Sequence, residues 1–298
     1  MEEQAFRSGF AAVVGRPNVG KSTLVNRLVG QKVAIMSDKP QTTRHKISAV
    51  VTTENAQVVF LDTPGVHKPK HRLGEQLVET ALKALREVDL VLFLVEPELP
   101  GAGDLFIMDQ LRQVDCPVFL VINKVDLASK DNLLPVIAGF AGRGKFAEVI
   151  PLSALTGDNV GRLVDLIISS LPPGPRYYPD DMVTDKPERF IVAEIIREKV
   201  LHLTGQEVPH AVTVVVERME EQANGLVVVE AVIYVERDSQ KGILIGKKGQ
   251  MLKEIGRLAR VEAEALLGSK IFLELWVKVK KDWRNRPADI KNFGYADE

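Results

Sequence analysis

The stretch from Gly15 to Ser22, with the sequence GRPNVGKS, constrains the fold of this chain more than any other. It follows the apolar run 10–14, which predicts a buried strand, and it leads into 23–29, where apolar residues recur with helical spacing. In the order strand, loop, helix, the pattern G-x-x-x-x-G-K-S is typical of a phosphate-binding loop. The inward-turned N–H groups of such a loop and the helix N-terminus both attract phosphate. The candidate binding residues are therefore Gly15, Arg16, Pro17, Asn18, Val19, Gly20, Lys21, Ser22 and Thr23.

Two side chains of this loop have predicted roles in phosphate chemistry. The Lys21 ammonium would bridge the β- and γ-phosphates, and the Ser22 hydroxyl would ligate Mg²⁺. Downstream, the polar stretch 37–44 predicts an exposed loop. A threonine in such a loop can close over Mg²⁺ while a γ-phosphate is present and release it afterwards. Thr42 and Thr43 compete for this role, and Thr43 is weakly favoured.

A second motif, D-T-P-G, follows the strand predicted over 57–61. A carboxylate at the end of a buried apolar strand is costly unless it is paired. Asp62 would therefore lie opposite the phosphate loop and hold a water on Mg²⁺, and Gly65 would offer its N–H to the γ-phosphate. The contact residues predicted here are Asp62, Thr63, Pro64, Gly65 and Val66.

Strands and helices alternate from residue 74 to residue 171, which predicts a mostly parallel, doubly wound α/β sheet. Ligands of such sheets bind at the carboxyl ends of the strands. After the strand 118–122, Asp126 offers two acceptors that match the N1–H and N2–H₂ donors of guanine and would select GTP over ATP. Lys124 would cover the base, Asn123 would tie this loop to the phosphate loop, and the Ala154 N–H could reach guanine O6. The base-binding candidates are Asn123, Lys124, Val125, Asp126, Ser153, Ala154 and Leu155.

The segments GRPNVGKS, DTPG, NKVD and SAL, in this order, resemble the GTPase domain of translation-factor-class GTPases. One departure from the small signalling GTPases concerns catalysis. Those carry a glutamine after the glycine of the second motif to orient the attacking water, whereas this chain has Val66, which has no group that can do so. Hydrolysis should then be slow or assisted by another group. The resemblance implies that Asn18 helps to hold a K⁺ beside the phosphates.

A proline-rich stretch, 172–188, separates two parts of the 298-residue chain. We expect a GTPase domain over 1–171, this linker, and a second domain over 189–298. The single cysteine, Cys116, cannot form a disulfide within the chain, so a reducing, cytoplasmic setting is expected.

The second part contains the turn G-K-K-G at 246–249, flanked by apolar runs. A bare G-x-x-G is weak evidence, but two lysines between the glycines can press ammoniums and backbone N–H groups against a sugar–phosphate chain. From Arg237 to Lys291 the chain has 14 Lys/Arg and 7 Asp/Glu. The candidate RNA-binding residues are Gly246, Lys247, Lys248, Gly249, Lys278, Lys280, Lys281 and Arg284, and Trp283 and Tyr295 are candidates for base stacking.

The predicted order α-β-β-α-α-β fits a smaller α+β KH domain of the prokaryotic type (type II). The two parts together resemble the Era family, GTPases with a C-terminal KH domain, over essentially the whole chain. The resemblance implies binding to the 3′ end of small-subunit ribosomal RNA and a role in 30S assembly, with Mg²⁺ as cofactor. It also implies a monomeric cytoplasmic protein, partly associated with the inner membrane, and no DNA partner.

Two rival functions remain open at this stage. The chain could be an RNA-binding protein that uses GTP only as a structural ligand, without turnover. It could also be a nucleotide kinase, although the N-K-V-D motif reads the base and no acceptor site for a phosphate is evident. Turnover of labelled GTP with and without RNA would separate these functions.

Overall fold

A computed structural model describes residues 5–39, 41–66, 68–69, 71–205 and 207–296. The chain forms two compact units. The first comprises Met1–Ala34, Thr43–Lys70 and Gly74–Asp185. The second comprises Ile35–Thr42, His71–Leu73 and Lys186–Glu298. Two short pieces from the first third of the sequence therefore belong to the second unit, which the sequence did not predict.

Six strands and five helices form the described part of the first unit, and they alternate except that β3 directly follows β2. The strands are β1 (Arg7–Gly15), β2 (Ile47–Thr52), β3 (Ala56–Asp62), β4 (Leu90–Val95), β5 (Val118–Ile122) and β6 (Glu148–Pro151). The helices are α1 (Lys21–Val29), α2 (Arg72–Ala84), α3 (Ala102–Leu111), α4 (Lys130–Ala141) and α5 (Val160–Ser170). The sheet order is β2-β3-β1-β4-β5-β6, and every pair is parallel except β2 with β3. The predicted α/β class is confirmed.

The central strands of this sheet are apolar because they are covered on both faces. All six residues of β4 are buried, and alternate residues contribute to two separate core clusters. Because β1, β3, β4, β5 and β6 are parallel, their carboxyl ends lie at one edge of the sheet. The predicted nucleotide motifs follow β1, β3, β5 and β6.

The stretch predicted as a linker is packed against the first unit up to Asp185. Pro173 forms an isolated bridge with Arg7, and Thr184 forms one with Ala49. The Val50 N–H also donates to the Val183 carbonyl at 2.9 Å. The two units therefore divide at 185/186, inside the stretch predicted as a linker (172–188), because hydrogen bonds to strand edges hold most of that stretch against the first unit.

Among its described residues, the second unit contains three strands and five α-helices. The strands are β7 (Thr213–Glu221), β8 (Val227–Val235) and β9 (Ile271–Val279). The helices are α6 (Glu188–Leu203), α7 (Glu207–Ala211), α8 (Asp238–Ile245), α9 (Gln250–Leu267) and α10 (Pro287–Asn292). The strand β8 is antiparallel to β7 and parallel to β9. The G-K-K-G turn joins α8 to α9, as the KH prediction requires, and α7 and α10 are additions that the sequence did not predict.

One face of this sheet forms the core of the second unit. Val229, Ala231, Ile233 and Val235 alternate along β8 and are completely buried, together with Val192 and Ile196 of α6 and Ile255 and Ala259 of α9. The inward-facing residues of β8, two apart in sequence, thus pack against residues four apart on α6 and α9 and form one apolar layer.

No helix in the described part of the chain is long and apolar enough to cross a membrane.

Candidate functional site

The phosphate loop connects the end of β1 to the start of α1, as predicted. Gly20 has φ of 98°, a left-handed conformation that glycine tolerates best. A Cβ atom at Gly20 would also lie 2.2 Å from the side-chain nitrogen of Asn123, so only glycine leaves room for that side chain. The Lys21 ammonium donates to the carbonyls of Gly15 at 3.2 Å and Arg16 at 3.0 Å, which places it inside the loop.

Three oxygen-bearing side chains meet beside this loop. The Ser22 hydroxyl donates to Asp62 Oδ2 at 2.7 Å and lies 2.8 Å from the Thr43 hydroxyl. Thr43 in turn donates to the same carboxylate oxygen at 3.5 Å. Thr42 instead donates to the Lys39 carbonyl at 2.6 Å, within its own loop. Of the two threonines left open by the sequence, Thr43 is the one the structure brings to the cluster.

The cluster fits a hard cation such as Mg²⁺. Its donors are two hydroxyls and a carboxylate, the oxygen ligands that Mg²⁺ prefers. The second carboxylate oxygen, Asp62 Oδ1, is buried and has no hydrogen-bond partner within the described residues. A buried carboxylate oxygen without a partner is costly, and a metal-bound water would satisfy it.

The charges of Lys21 and Asp62 are poorly solvated without a ligand. Burial lowers the pKa of Lys21 from 10.5 to about 8, although the Asp62 charge opposes this. Burial likewise raises the pKa of Asp62 from 3.8 to about 6, against the effects of Lys21, Ser22 and Thr43. Phosphate oxygens and a divalent cation would stabilise the charged form of each group.

The D-T-P-G segment contributes in three ways. Thr63 is buried and donates to the Val13 carbonyl at 2.8 Å, which fixes the segment to β1. A Cβ atom at Gly65 would lie 2.9 Å from Pro17, so glycine allows the close approach to the phosphate loop. The Val66 side chain is 2 % exposed and packs in the core, while its N–H donates to the Gly15 carbonyl at 3.2 Å. Val66 therefore presents no group to an attacking water.

The base-reading loop lies at the end of β5. Asn123 donates to the Val19 carbonyl at 2.8 Å, which ties the two loops together as predicted. Asn123 also accepts from the Ala154 N–H at 2.9 Å, so the predicted contact of that N–H with guanine O6 would require a shared hydrogen bond. Asp126 is exposed and available to a ligand. Its pairing with guanine, like that of Ala154, stays a prediction.

Three residues that support these loops were missed by sequence reasoning. Glu96 accepts from Lys124 at 2.6 Å and from Arg16 at 3.3 Å, and buried Asp104 accepts from Arg16 at 2.8 Å. Arg27 of α1 donates to the carbonyls of Ala154, at 3.1 Å, and Leu155. In the sequence, Glu96 is marked only by its position after a strand, and Asp104 and Arg27 only by their positions in helices. Many residues without a functional role share such positions, so neither signal identifies a site.

The candidate RNA residues at 246–249 form a sharp, exposed turn. Gly246, Lys248 and Gly249 have φ of 69°, 52° and 78°. A Cβ atom at Gly246 would lie 2.6 Å from that of Met251, so this position requires glycine. The side chains of Lys247 and Lys248 are both exposed.

A groove of about 670 Å³ extends from this turn between α9 and β9. One wall carries Lys253, Arg257 and Arg260, which recur on one face of α9 and are exposed. Gly256 lies between them, and a Cβ atom at this position would be 3.3 Å from the Leu275 side chain. Glycine therefore lets α9 pack closely against β9. Apolar residues of β9 (Ile271, Phe272, Leu273, Leu275) line the other wall. The spacing of the three cations was a usable sequence signal that the prediction overlooked.

The predicted basic residues near the C-terminus are mostly engaged with carboxylates. Lys278 lies 3.4 Å from Glu217, Lys280 lies 2.9 Å from Asp289, and Arg284 lies 2.6 Å from Glu236. Lys281 is exposed. Their role in RNA binding stays a prediction, weakened by these pairings.

The prediction that Trp283 or Tyr295 stacks on bases is wrong. Trp283 is completely buried and donates to the Ala211 carbonyl at 2.8 Å, and Tyr295 is 5 % exposed. The Trp283 ring packs against the rings of Phe293 and Tyr295. Burial of these rings away from water stabilises the second unit.

Comparisons with known proteins match both units of the chain. A family model described as "50S ribosome-binding GTPase" matches residues 10–124, and a KH-domain model matches residues 207–284. A crystal structure of Era in complex with MgGDPNP and nucleotides 1506–1542 of 16S ribosomal RNA is 43% identical, covering 98% of this chain and 99% of that one, with a TM-score of 0.95. A variant of Aquifex aeolicus Era bound to GDP and AlF4⁻ is also 43% identical, covering 98% and 100%, with a TM-score of 0.95.

Proposed function

The chain belongs to the Era family of GTPases, and we propose from this premise that it is a GTP-hydrolysing switch that binds the 3′ end of 16S ribosomal RNA and assists assembly of the 30S subunit. One observation carries the proposal. The same chain has a loop and an oxygen cluster that fit phosphate and Mg²⁺ in its first unit, and a turn with two exposed lysines beside a groove lined by three further cations in its second.

The choice of the small subunit depends on the extent of the similarity. The family model whose description names the 50S subunit matches only 10–124, whereas the Era structure with 16S RNA is similar over 98% of this chain. The RNA partner is therefore inferred from the similarity that includes the second unit. Such a partner would place the protein in the cytoplasm.

In the proposed reaction, water attacks the γ-phosphate in line, so the protein has to position groups and neutralise charge. The phosphate-loop N–H groups and Lys21 would hold the β- and γ-phosphates, and the Gly65 N–H would contact the γ-phosphate. Ser22 and Thr43 would ligate Mg²⁺ directly and Asp62 would do so through water. The bound Mg²⁺ would neutralise the charge on the phosphate oxygens.

Because Val66 is buried and apolar, no side chain at that position orients the water. We therefore propose a slow intrinsic rate, with a K⁺ near Asn18 as the group that assists. Asn18 is exposed within the loop, and its φ of 66° is a left-handed conformation that asparagine adopts more often than most residues.

Turnover of γ-labelled GTP by the full chain tests the enzymatic half of the proposal. Slow release of phosphate, stimulated by a 3′-end 16S fragment, is the expected result. RNA binding without any turnover would favour GTP as a structural ligand. Appearance of the label on a second nucleotide would favour a kinase.

Replacement of both Lys247 and Lys248 by Asp tests the RNA half. The change lowers the charge of 237–291 from +7 to +3 and sets carboxylates against the RNA backbone. Phosphate contacts are sensitive to salt, so affinity should fall by about two orders of magnitude and its salt dependence should flatten. Filter binding to the RNA fragment at several salt concentrations measures both, beside a GTP titration that should not change.

A matched control has the same charge change elsewhere in the second unit. Lys186 and Lys291 lie outside the groove lining, and their replacement by Asp should weaken RNA binding much less. Equal losses in the two double variants would indicate attraction by net charge without a local site. Unchanged affinity in the Lys247/Lys248 variant would move the site elsewhere.

A further inference from the structure

The segment 35–42, which immediately precedes Thr43, is held at both ends by α6. Ile35 is 4 % exposed and packs in the core cluster with Val192 and Ile196. The Met36 N–H donates to Glu198 at 2.8 Å, and the Met36 carbonyl lies 2.9 Å from His202 Nε2. At the other end, Arg197 donates to the Thr42 carbonyl. The loop predicted to be exposed is thus built into the second unit.

Arg197 itself is completely buried and rigidly oriented. Its Nε donates to one oxygen of Glu194 at 2.8 Å and its Nη2 donates to the other at 2.6 Å. Burial opposes the charge, but the Glu194 carboxylate raises the pKa of Arg197 overall, so the guanidinium stays protonated. A two-point carboxylate contact fixes the plane of a guanidinium, and the Nη2 bond to Thr42 then has a fixed direction.

Fixing the Thr42 carbonyl restricts Thr43 because they share a peptide plane. The carbonyl of residue 42 and the N–H of residue 43 are coplanar, so the orientation of one sets the other. Thr43 places its hydroxyl 2.8 Å from Ser22 and 3.5 Å from Asp62, in the oxygen cluster that fits Mg²⁺. The guanidinium therefore acts one peptide away from a metal-ligand candidate.

We propose that Arg197 is a positioning residue for GTP hydrolysis, which orients Thr43 toward Mg²⁺ by holding the Thr42 carbonyl. The inference rests on the proposed GTPase function. A contribution to stability does not by itself explain a buried arginine here. A buried ion pair can often be replaced by apolar side chains of similar volume without lowering the free energy of unfolding. An apolar replacement cannot supply the directed donor to Thr42.

The double variant Glu194→Gln with Arg197→Met tests this in the full chain, because it removes the donor and leaves no unpaired buried carboxylate. The concentration of Mg²⁺ for half-maximal hydrolysis should rise about tenfold or more, a typical effect of losing a group that orients a metal ligand. At saturating GTP and limiting Mg²⁺, the turnover rate of the double variant should be lower than that of the wild-type chain. GDP affinity should change little, because Thr43 is expected to close over the metal only when the γ-phosphate is present.

Arg189→Met is the matched control. Arg189 lies on the same helix and also donates to a main-chain carbonyl, that of Val216 at 2.7 Å, within the second unit. It should leave the Mg²⁺ dependence unchanged. Arg197→Lys keeps the charge beside Glu194 but has fewer hydrogen-bond donors. It tests the inference if the double variant does not fold, and its Mg²⁺ midpoint should lie between those of the wild type and the double variant.

The outcomes separate the inference from the function it rests on. If the Arg197 variants melt at a lower temperature but keep the wild-type Mg²⁺ midpoint, the residue is structural only and the inference is overturned. If the wild-type chain shows no GTP turnover at all, the proposed GTPase function is wrong, and the inference about Arg197 is overturned with it.

Discussion

The side chain of Asn123 donates to the carbonyl of Val19 at 2.8 Å, across 104 residues of sequence. The contact joins the loop after β5 to the phosphate loop after β1. Gly20 makes it possible, since a Cβ there would lie 2.2 Å from the Asn123 nitrogen. The distance between the base-reading and phosphate-binding groups is therefore fixed before any ligand binds, which favours nucleotide binding by preorganisation.

Base selectivity should depend on Asp126. In Asp126→Asn, one acceptor becomes an amide donor that faces the donors of guanine, and this should cost about 3–5 kcal/mol of GTP binding. Xanthine carries an acceptor where guanine has its N2 amino group, so the variant should accept xanthosine triphosphate instead. Competition between the two nucleotides in a fluorescence titration measures this. Wild-type GTP affinity in the variant would mean that the base lies elsewhere.

Hydrolysis should depend on K⁺ through Asn18. Because Val66 is buried, a monovalent cation beside the phosphates is the candidate that stabilises the developing charge. Turnover should be faster in KCl than in NaCl at equal ionic strength, and Asn18→Ala should remove most of the difference. Equal wild-type rates in the two salts would contradict the role of K⁺.

Nucleotide binding should take up protons at pH 8. With a pKa of about 8, Lys21 is half-protonated there in the free protein, and phosphate raises its pKa by stabilising the ammonium. Binding of MgGTP should therefore take up about half a proton at pH 8 through Lys21. At pH 7 the uptake by Lys21 falls to about a tenth of a proton and is offset by about a tenth released from Asp62, so the net uptake should be close to zero. Asp62, with a pKa of about 6, is almost fully ionised at pH 8 and contributes little.

Calorimetric titrations in buffers of different ionisation enthalpy count these protons. Net proton release at pH 8, or an uptake that does not decrease at pH 7, would show that Lys21 is not the titrating group.

Trp283 should support the fold and not contact RNA. Its replacement by Ala removes a completely buried ring and the hydrogen bond to Ala211, which should destabilise the second unit by about 3–5 kcal/mol. Trp283→Phe keeps most of the apolar volume and should cost less. Urea unfolding followed by circular dichroism gives the free energies. RNA affinity per folded molecule should stay at the wild-type value in both variants, and a large loss confined to Trp283→Ala, which removes the ring, would restore the stacking hypothesis.

The nucleotide motifs could be predicted from the sequence because each depends on local chemistry. G-x-x-x-x-G-K-S specifies its own backbone turns, and the apolar runs specify the strands that display the loops. The strand 118–122 was predicted with the bounds that the structure has. The G-K-K-G turn was likewise predictable, since glycine adopts the positive φ angles of a sharp turn more readily than other residues do.

Tertiary structure alone decided the remaining features. Thr42 and Thr43 are chemically equal neighbours, and only the position of Ser22 and Asp62 separates them. The sequence around Trp283 is basic, and its burial depends on Ala211 and Phe293. Arg197 lies 155 residues from the carbonyl that it holds. Such partners are invisible in the local pattern, because the burial of a charge or a ring is determined by which distant residues the folded chain brings around it.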